Sequence, residues 1–143
     1  MVAINDKNAL INEQAGISRS GWQVWTGRVL TMLAVLFLLF DAAGKLMMPS
    51  FVVEAFARLG FPVSRGVTLG VILASSTVLY AVPRTAILGA VLLTGYLGGA
   101  IAIHMRAGST LFETIFPAIL GCVVWAGIWL RDPRLRSLFP VRR

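Results

Sequence analysis

The chain has 143 residues, of which 57% are hydrophobic and 13% charged, with a formal net charge of +7 and a mean hydropathy of +0.82. Soluble domains carry about twice that charged fraction, so the composition excludes an ordinary soluble fold and predicts one small integral membrane domain. The basic residues stand mostly at the ends of apolar runs, where topology and anionic lipid account for them, so no nucleic-acid partner is expected. The one cysteine, Cys122, has no partner for an internal disulfide and no CxxC motif; within its apolar run it is expected to be a small buried packing residue. One histidine and no cysteine pair leave no set of ligands for a dedicated zinc or iron–sulfur site.

Residues 1–27 read as a polar N-terminal tail, from Asn5-Asp6-Lys7-Asn8 through Ser18-Arg19-Ser20. Such a segment cannot bury a core and is expected to be loose or interfacial. Trp22 and Trp25 beside Arg28 then mark a membrane interface. The first span begins near Val29, and its uncharged core reaches Phe40. Its helix continues through Asp41 and Lys45, which are four residues apart and therefore on one face, able to pair. At about 1.5 Å per residue, Asp41 lies roughly 20 Å in from Arg28. A charge at that depth costs about 2.5–3.5 kcal/mol on insertion scales and should face the bundle interior with a partner.

Pro49 closes this region. In segment 51–59, Phe51, Val52, Ala55, Phe56 and Leu59 share one face, and Glu54 and Arg58 form a second pair at i, i+4 spacing. The segment is too short to span and is expected to be an amphipathic helix at the interface, stopped by Gly60 and Pro62. The second span runs from Val67 to Val82, with Ser75, Ser76 and Thr77 as mid-span hydroxyls that bond backward or across helices. Pro83-Arg84 is too short a link for anything but an antiparallel neighbour.

The third span, Arg84 to His104, is uncharged between its ends and covers about 30 Å as a helix, the thickness of a bilayer core. Gly95-xxx-Gly99 and Gly98-xxx-Ala102 admit close helix approach, so this span is expected to be the packing centre. The fourth runs from Leu111 to Leu130, with Glu113 just inside its start. Residues 28–131 thus form the four-helix transmembrane domain, and 132–143 a basic tail.

Lysine and arginine set the orientation. One side collects Lys7, Arg19, Arg28, Arg84, Arg131, Arg134, Arg136, Arg142 and Arg143, and the other Lys45, Arg58, Arg65 and Arg106. The imbalance predicts a multi-pass protein with both termini cytoplasmic. Asp41, Lys45, Glu54, Arg58, Tyr96, His104, Arg106 and Glu113 then gather toward the outer mouth of the bundle. They are the candidate ligand-binding residues, with Asp41, Lys45, His104 and Arg106 expected in one polar cluster.

Several motifs resemble the DoxX-like family of small bacterial membrane proteins: Gly44-Lys45-Leu46 with Pro49, Val53-Glu54-Ala55-Phe56-Ala57-Arg58-Leu59-Gly60-Phe61-Pro62, Leu79-Tyr80-x-x-Pro83-Arg84-Thr85-Ala86, Thr94-Gly95-Tyr96-Leu97-Gly98-Gly99-Ala100, His104-Met105-Arg106 and Leu130-Arg131-Asp132. The match covers roughly residues 27–140. The resemblance implies an all-α, four-transmembrane-helix bundle in the bacterial inner membrane. A more distant namesake is a membrane subunit of a thiosulfate:quinone oxidoreductase, and other relatives belong to membrane redox assemblies. No catalytic motif carries over residue by residue, and the lone Cys122 departs from relatives that use a cysteine pair.

Three functions follow as expectations. The polar cluster binds a membrane lipid or other amphiphile, or scaffolds an envelope complex. Alternatively, it binds a quinone within a redox assembly: His104, Tyr96, Lys45 and Arg106 donate hydrogen bonds, Asp41 and Glu113 relay protons, and a redox partner subunit supplies the electrons, since no metal or flavin motif is evident. The last reading is a small transporter, which with four spans would have to act as a homo-oligomer.

Overall fold

The computed structural model describes residues 2–131 and Leu135, with the backbone course alone for residues 2–20. The described chain forms α1 (Val2–Met47), α2 (Ser50–Arg58), a 3-10 turn (Val63–Arg65), α3 (Gly66–Ala81), α4 (Ala86–Ala107) and α5 (Leu111–Arg131). The basic tail expected at 132–143 lies outside the described residues except for Leu135. Four segments are long and apolar enough to cross a membrane: Gly21–Met47, Val63–Ala81, Ala86–Ala107 and Leu111–Arg131. The expected all-α four-helix bundle is therefore present, with the short helix between its first two spans.

The N-terminal segment corrects the expectation of a loose tail. α1 is one helix from Val2 onward. No proline interrupts residues 2–47, and a helix already nucleated in its span propagates at one new hydrogen bond per residue fixed. α1 stops where Pro49 disfavours a helical residue before it; Met48 takes φ 49°.

The other helix ends are chemically specified. α2 ends in a Schellman motif. Gly60 takes φ +60°, the Phe61 N–H donates to Phe56 O at 2.9 Å and the Gly60 N–H to Ala57 O at 3.0 Å. The hydrophobic contact that accompanies this motif is the edge-on pairing of Phe56 and Phe61, with ring centroids 5.6 Å apart. α4 ends in the same way at Gly108, φ +65°, with the Ser109 N–H donating to His104 O at 3.1 Å. Between α3 and α4, the Thr85 hydroxyl donates to Leu79 O at 2.8 Å, satisfying a carbonyl that the end of α3 leaves unpaired.

Short links force the spans to alternate in direction. α1 packs against α3 and α5, and α4 packs against the same two, so α1 and α4 lie on one diagonal of a square bundle. The core is built from Ala34, Leu38 and Ala42 of α1, Leu73 and Tyr80 of α3, Ala90 and Leu93 of α4, and Val124 and Ile128 of α5. The mid-span hydroxyls bond backward. Ser76 donates to Ile72 O and Thr77 to Leu73 O, both at 2.7 Å, so they enter lipid depth satisfied by their own helix.

Two packing expectations are overturned. α4 does not pack through its Gly95 and Gly99 face: a Cβ added at Gly95, Gly98 or Gly99 would meet nothing within 4 Å. It packs through Ala86, Gly89, Ala90, Leu93 and Leu97. The tight link to α3 presents this stripe inward, and a Cβ at Gly89 would fall inside the backbone of Tyr80 and Leu79. Cys122 is exposed rather than buried, because α5 turns Pro117, Val124, Gly127 and Ile128 to the core and Cys122 lies off that stripe.

Candidate functional site

The inward stripe of α1 is Gly27, Thr31, Ala34, Leu38 and Ala42. Three residues after Ala42, Lys45 continues it. Its side chain is only 17% exposed, whereas that of Asp41, at the edge of the stripe, is 39% exposed. The Lys45 ammonium donates to Asp41 Oδ1, which is the one ion pair among the described residues. Asp41 Oδ2 has no hydrogen-bond partner there. Lys45 is further enclosed by α3, where a Cβ at Gly70 would lie 3.1 Å from Lys45 Cβ.

Across the diagonal, Tyr96 flanks the packing stripe of α4 and is half-buried against the core. The Asp41 charge acts electrostatically on the Tyr96 hydroxyl, and that hydroxyl makes no hydrogen bond among the described residues. The structure thus places a donor on α4 and an acceptor on α1, both without a hydrogen-bond partner among the described residues. Neither atom is fully enclosed, since no buried side-chain nitrogen or oxygen among the described residues lacks a partner, so both stay open to a further group.

The remaining candidates form a second group. His104 stands seven residues after Leu97 on the same stripe, and its Nδ1 shares a hydrogen bond with Ser109 Oγ at 3.0 Å. Arg106 Nη2 donates to Leu59 O at 3.0 Å and to Gly60 O at 3.3 Å, the two carbonyls that follow the last residue of α2. Glu113 closes a capping box at the start of α5. The Thr110 N–H and hydroxyl donate to Glu113 Oε2 at 3.0 and 2.9 Å, and the Glu113 N–H returns to Thr110 Oγ1 at 3.4 Å. His104 and Arg58 act electrostatically on Glu113. No hydrogen bond or ion pair among the described residues joins this group to Asp41 or Lys45.

The expected Glu54–Arg58 pair is not formed. Both side chains are exposed, where such a pair is worth only tenths of a kcal/mol and water competes for both charges. The capping box was available in the sequence as Thr110-x-x-Glu113 before an apolar run. The opposite end of the bundle carried no comparable signal. There Tyr80 is 0% exposed and its hydroxyl donates to Val124 O at 3.0 Å, with Thr31 Oγ1 3.4 Å away. Arg131 lies over the Tyr80 ring, 5.7 Å from its centroid, and donates to Tyr80 O at 3.3 Å. This knot ties α1, α3 and α5 together.

The protein-family model described as the DoxX-like family matches residues 29–127. That stretch takes in all four spans up to Gly127 and every candidate site residue. No curated protein and no solved structure matches the chain.

Proposed function

This chain belongs to the DoxX-like family, and from that premise we propose that it is a non-catalytic membrane protein that binds the polar head of an amphiphile between Asp41, Lys45 and Tyr96. The observation that carries the reading is the pair of unsatisfied groups on the bundle diagonal. Tyr96 offers a hydroxyl proton, Asp41 Oδ2 offers an acceptor, and Lys45 holds the other carboxylate oxygen from its own helix. A head group with a hydroxyl or ammonium for Asp41 and an oxygen acceptor for Tyr96 would satisfy both, while its tail lies among the exposed apolar side chains of the spans.

A quinone head is the second reading, because a carbonyl oxygen can accept from Tyr96 and a quinol hydroxyl can donate to Asp41. Purified protein in detergent distinguishes the two. Native mass spectrometry should reveal a retained amphiphile, reduced at least tenfold in Asp41→Asn and in Tyr96→Phe, with both variants still folded. A redox-sensitive absorbance of the retained species identifies a quinone; its absence with a phospholipid mass identifies a lipid. Retention by both variants at the wild-type level would remove the site.

We further propose that it lies in the inner membrane, with both termini in the cytoplasm on the distribution of lysine and arginine. In a Cys122→Ser background, Ser109→Cys should be labelled by an impermeant reagent from outside and Asn5→Cys should not. The reverse pattern would invert the orientation.

A further inference from the structure

We infer that the α2 end carries a second, separate surface: a docking site for the phosphate of an anionic phospholipid, formed by Arg58, Arg65 and Arg106. The starting point is an accounting of charge. The one ion pair among the described residues, Lys45–Asp41, neutralises itself. The Glu113 carboxylate accepts two hydrogen bonds from Thr110, neutral donors that leave its charge uncancelled within electrostatic reach of Arg58, and Glu54 is the other carboxylate on this rim. Against these two charges stand three guanidinium groups, none within ion-pair distance of a carboxylate among the described residues. Arg58 and Arg65 are exposed and make no hydrogen bond among the described residues.

Arg106 is different, and its geometry organises the surface. Both of its bonds to the end of α2 use Nη2, so Nη1 and Nε keep hydrogens without an acceptor among the described residues. A planar guanidinium held on one side by backbone carbonyls presents its free edge in a fixed direction, which suits an oxygen pair of a phosphate. The same bonds hold α2 against the bundle, with Arg58 in its last turn and Arg65 just beyond Gly60 and Pro62.

The apolar complement is beside them. Phe51 is 63% exposed and Met47 80% exposed, at the start of α2 and the end of α1. An amphipathic segment with aromatic and aliphatic residues next to arginines lies in the interface plane and gains from negatively charged lipid. On the charge distribution these arginines stand on the side with fewer basic residues, so of topology and anionic lipid it is the lipid that accounts for them here.

The test uses the full-length chain in nanodiscs of phosphatidylcholine and phosphatidylglycerol at 9:1. Native mass spectrometry after gentle delipidation reads the ratio of retained lipids. Wild type should retain phosphatidylglycerol above its bulk fraction, and that enrichment should fall about fivefold for each arginine removed in Arg58→Gln and Arg65→Gln. These two substitutions break no hydrogen bond among the described residues. Arg58→Lys should keep part of the enrichment. A retained ratio equal to the bulk mixture overturns the proposal. So does enrichment that survives Arg58→Gln/Arg65→Gln.

Discussion

The two ends of the bundle use similar residues to opposite effect. Each has an arginine that holds carbonyls of another segment and a glycine at positive φ or under a close contact, and each draws on a tyrosine, Tyr80 at the end of α3 and Tyr96 midway along α4. At the α3–α4 turn end these are consumed internally. Tyr80 is fully buried and hydrogen-bonded, Arg131 is stacked on it, and a Cβ at Gly127 would lie 2.7 Å from Thr31 Oγ1. At the α2 end, among the described residues, Tyr96 has no hydrogen bond, Asp41 keeps an open oxygen, and Arg106 keeps open donors. Satisfied polar groups under dense packing fasten helices together; unsatisfied ones at a half-open mouth are available to something else.

The largest effect that tests this contrast is steric. Gly89→Ala should drive a methyl into the backbone of Tyr80 and Leu79 and destabilise the fold by about 3 kcal/mol, measured as a drop in melting temperature in detergent. A variant that melts like wild type would show that α3 and α4 part easily, and the turn end would not be the fastened one.

The two tyrosines give the next comparison. Tyr80→Phe removes an interhelical hydrogen bond and should cost about 1 kcal/mol. Tyr96→Phe removes no bond within the protein and should stay within about 0.5 kcal/mol, while losing the retained amphiphile. Equal costs for the two would erase the distinction between a structural and a binding end.

The α2 end is not slack throughout. Thr110→Ala dismantles the capping box with Glu113 and should cost slightly less than 1 kcal/mol, about 0.8, visible as earlier unfolding of α5. No change would mean that membrane packing alone sets the start of that helix.

The smallest effect concerns the open face of α4. Gly99→Ala adds a methyl where nothing lies within 4 Å, so it should be neutral or stabilise by about 0.5 kcal/mol through helix propensity. A loss of more than about 1 kcal/mol would mean that this face is covered in the membrane by a neighbour outside the chain.

Read alone, the residues of this protein determined its four spans, a short helix over 51–59, within one residue of the observed Ser50–Arg58, and the pairing of Asp41 with Lys45. Apolar length, charge placement and i, i+4 spacing act locally, and bilayer thickness converts them directly into elements. The same locality misled at the N-terminus, where a polar composition suggested a loose tail and helix propagation prevailed. Tertiary structure alone decided which face of each span is inner. Gly95, Gly99 and Gly89 are equally small in the sequence, but only the tight link between α3 and α4 selects Gly89 for contact. It also decided partners. Thr31 and Val124 stand 49 and 44 residues from Tyr80, and no local pattern announces such a knot. The candidate site divided for the same reason. Arg106 and Asp41 approach the same end of the bundle, but the end of α2 offers Arg106 carbonyls at hydrogen-bond distance, and a local acceptor already in place captures a guanidinium before a more distant carboxylate can.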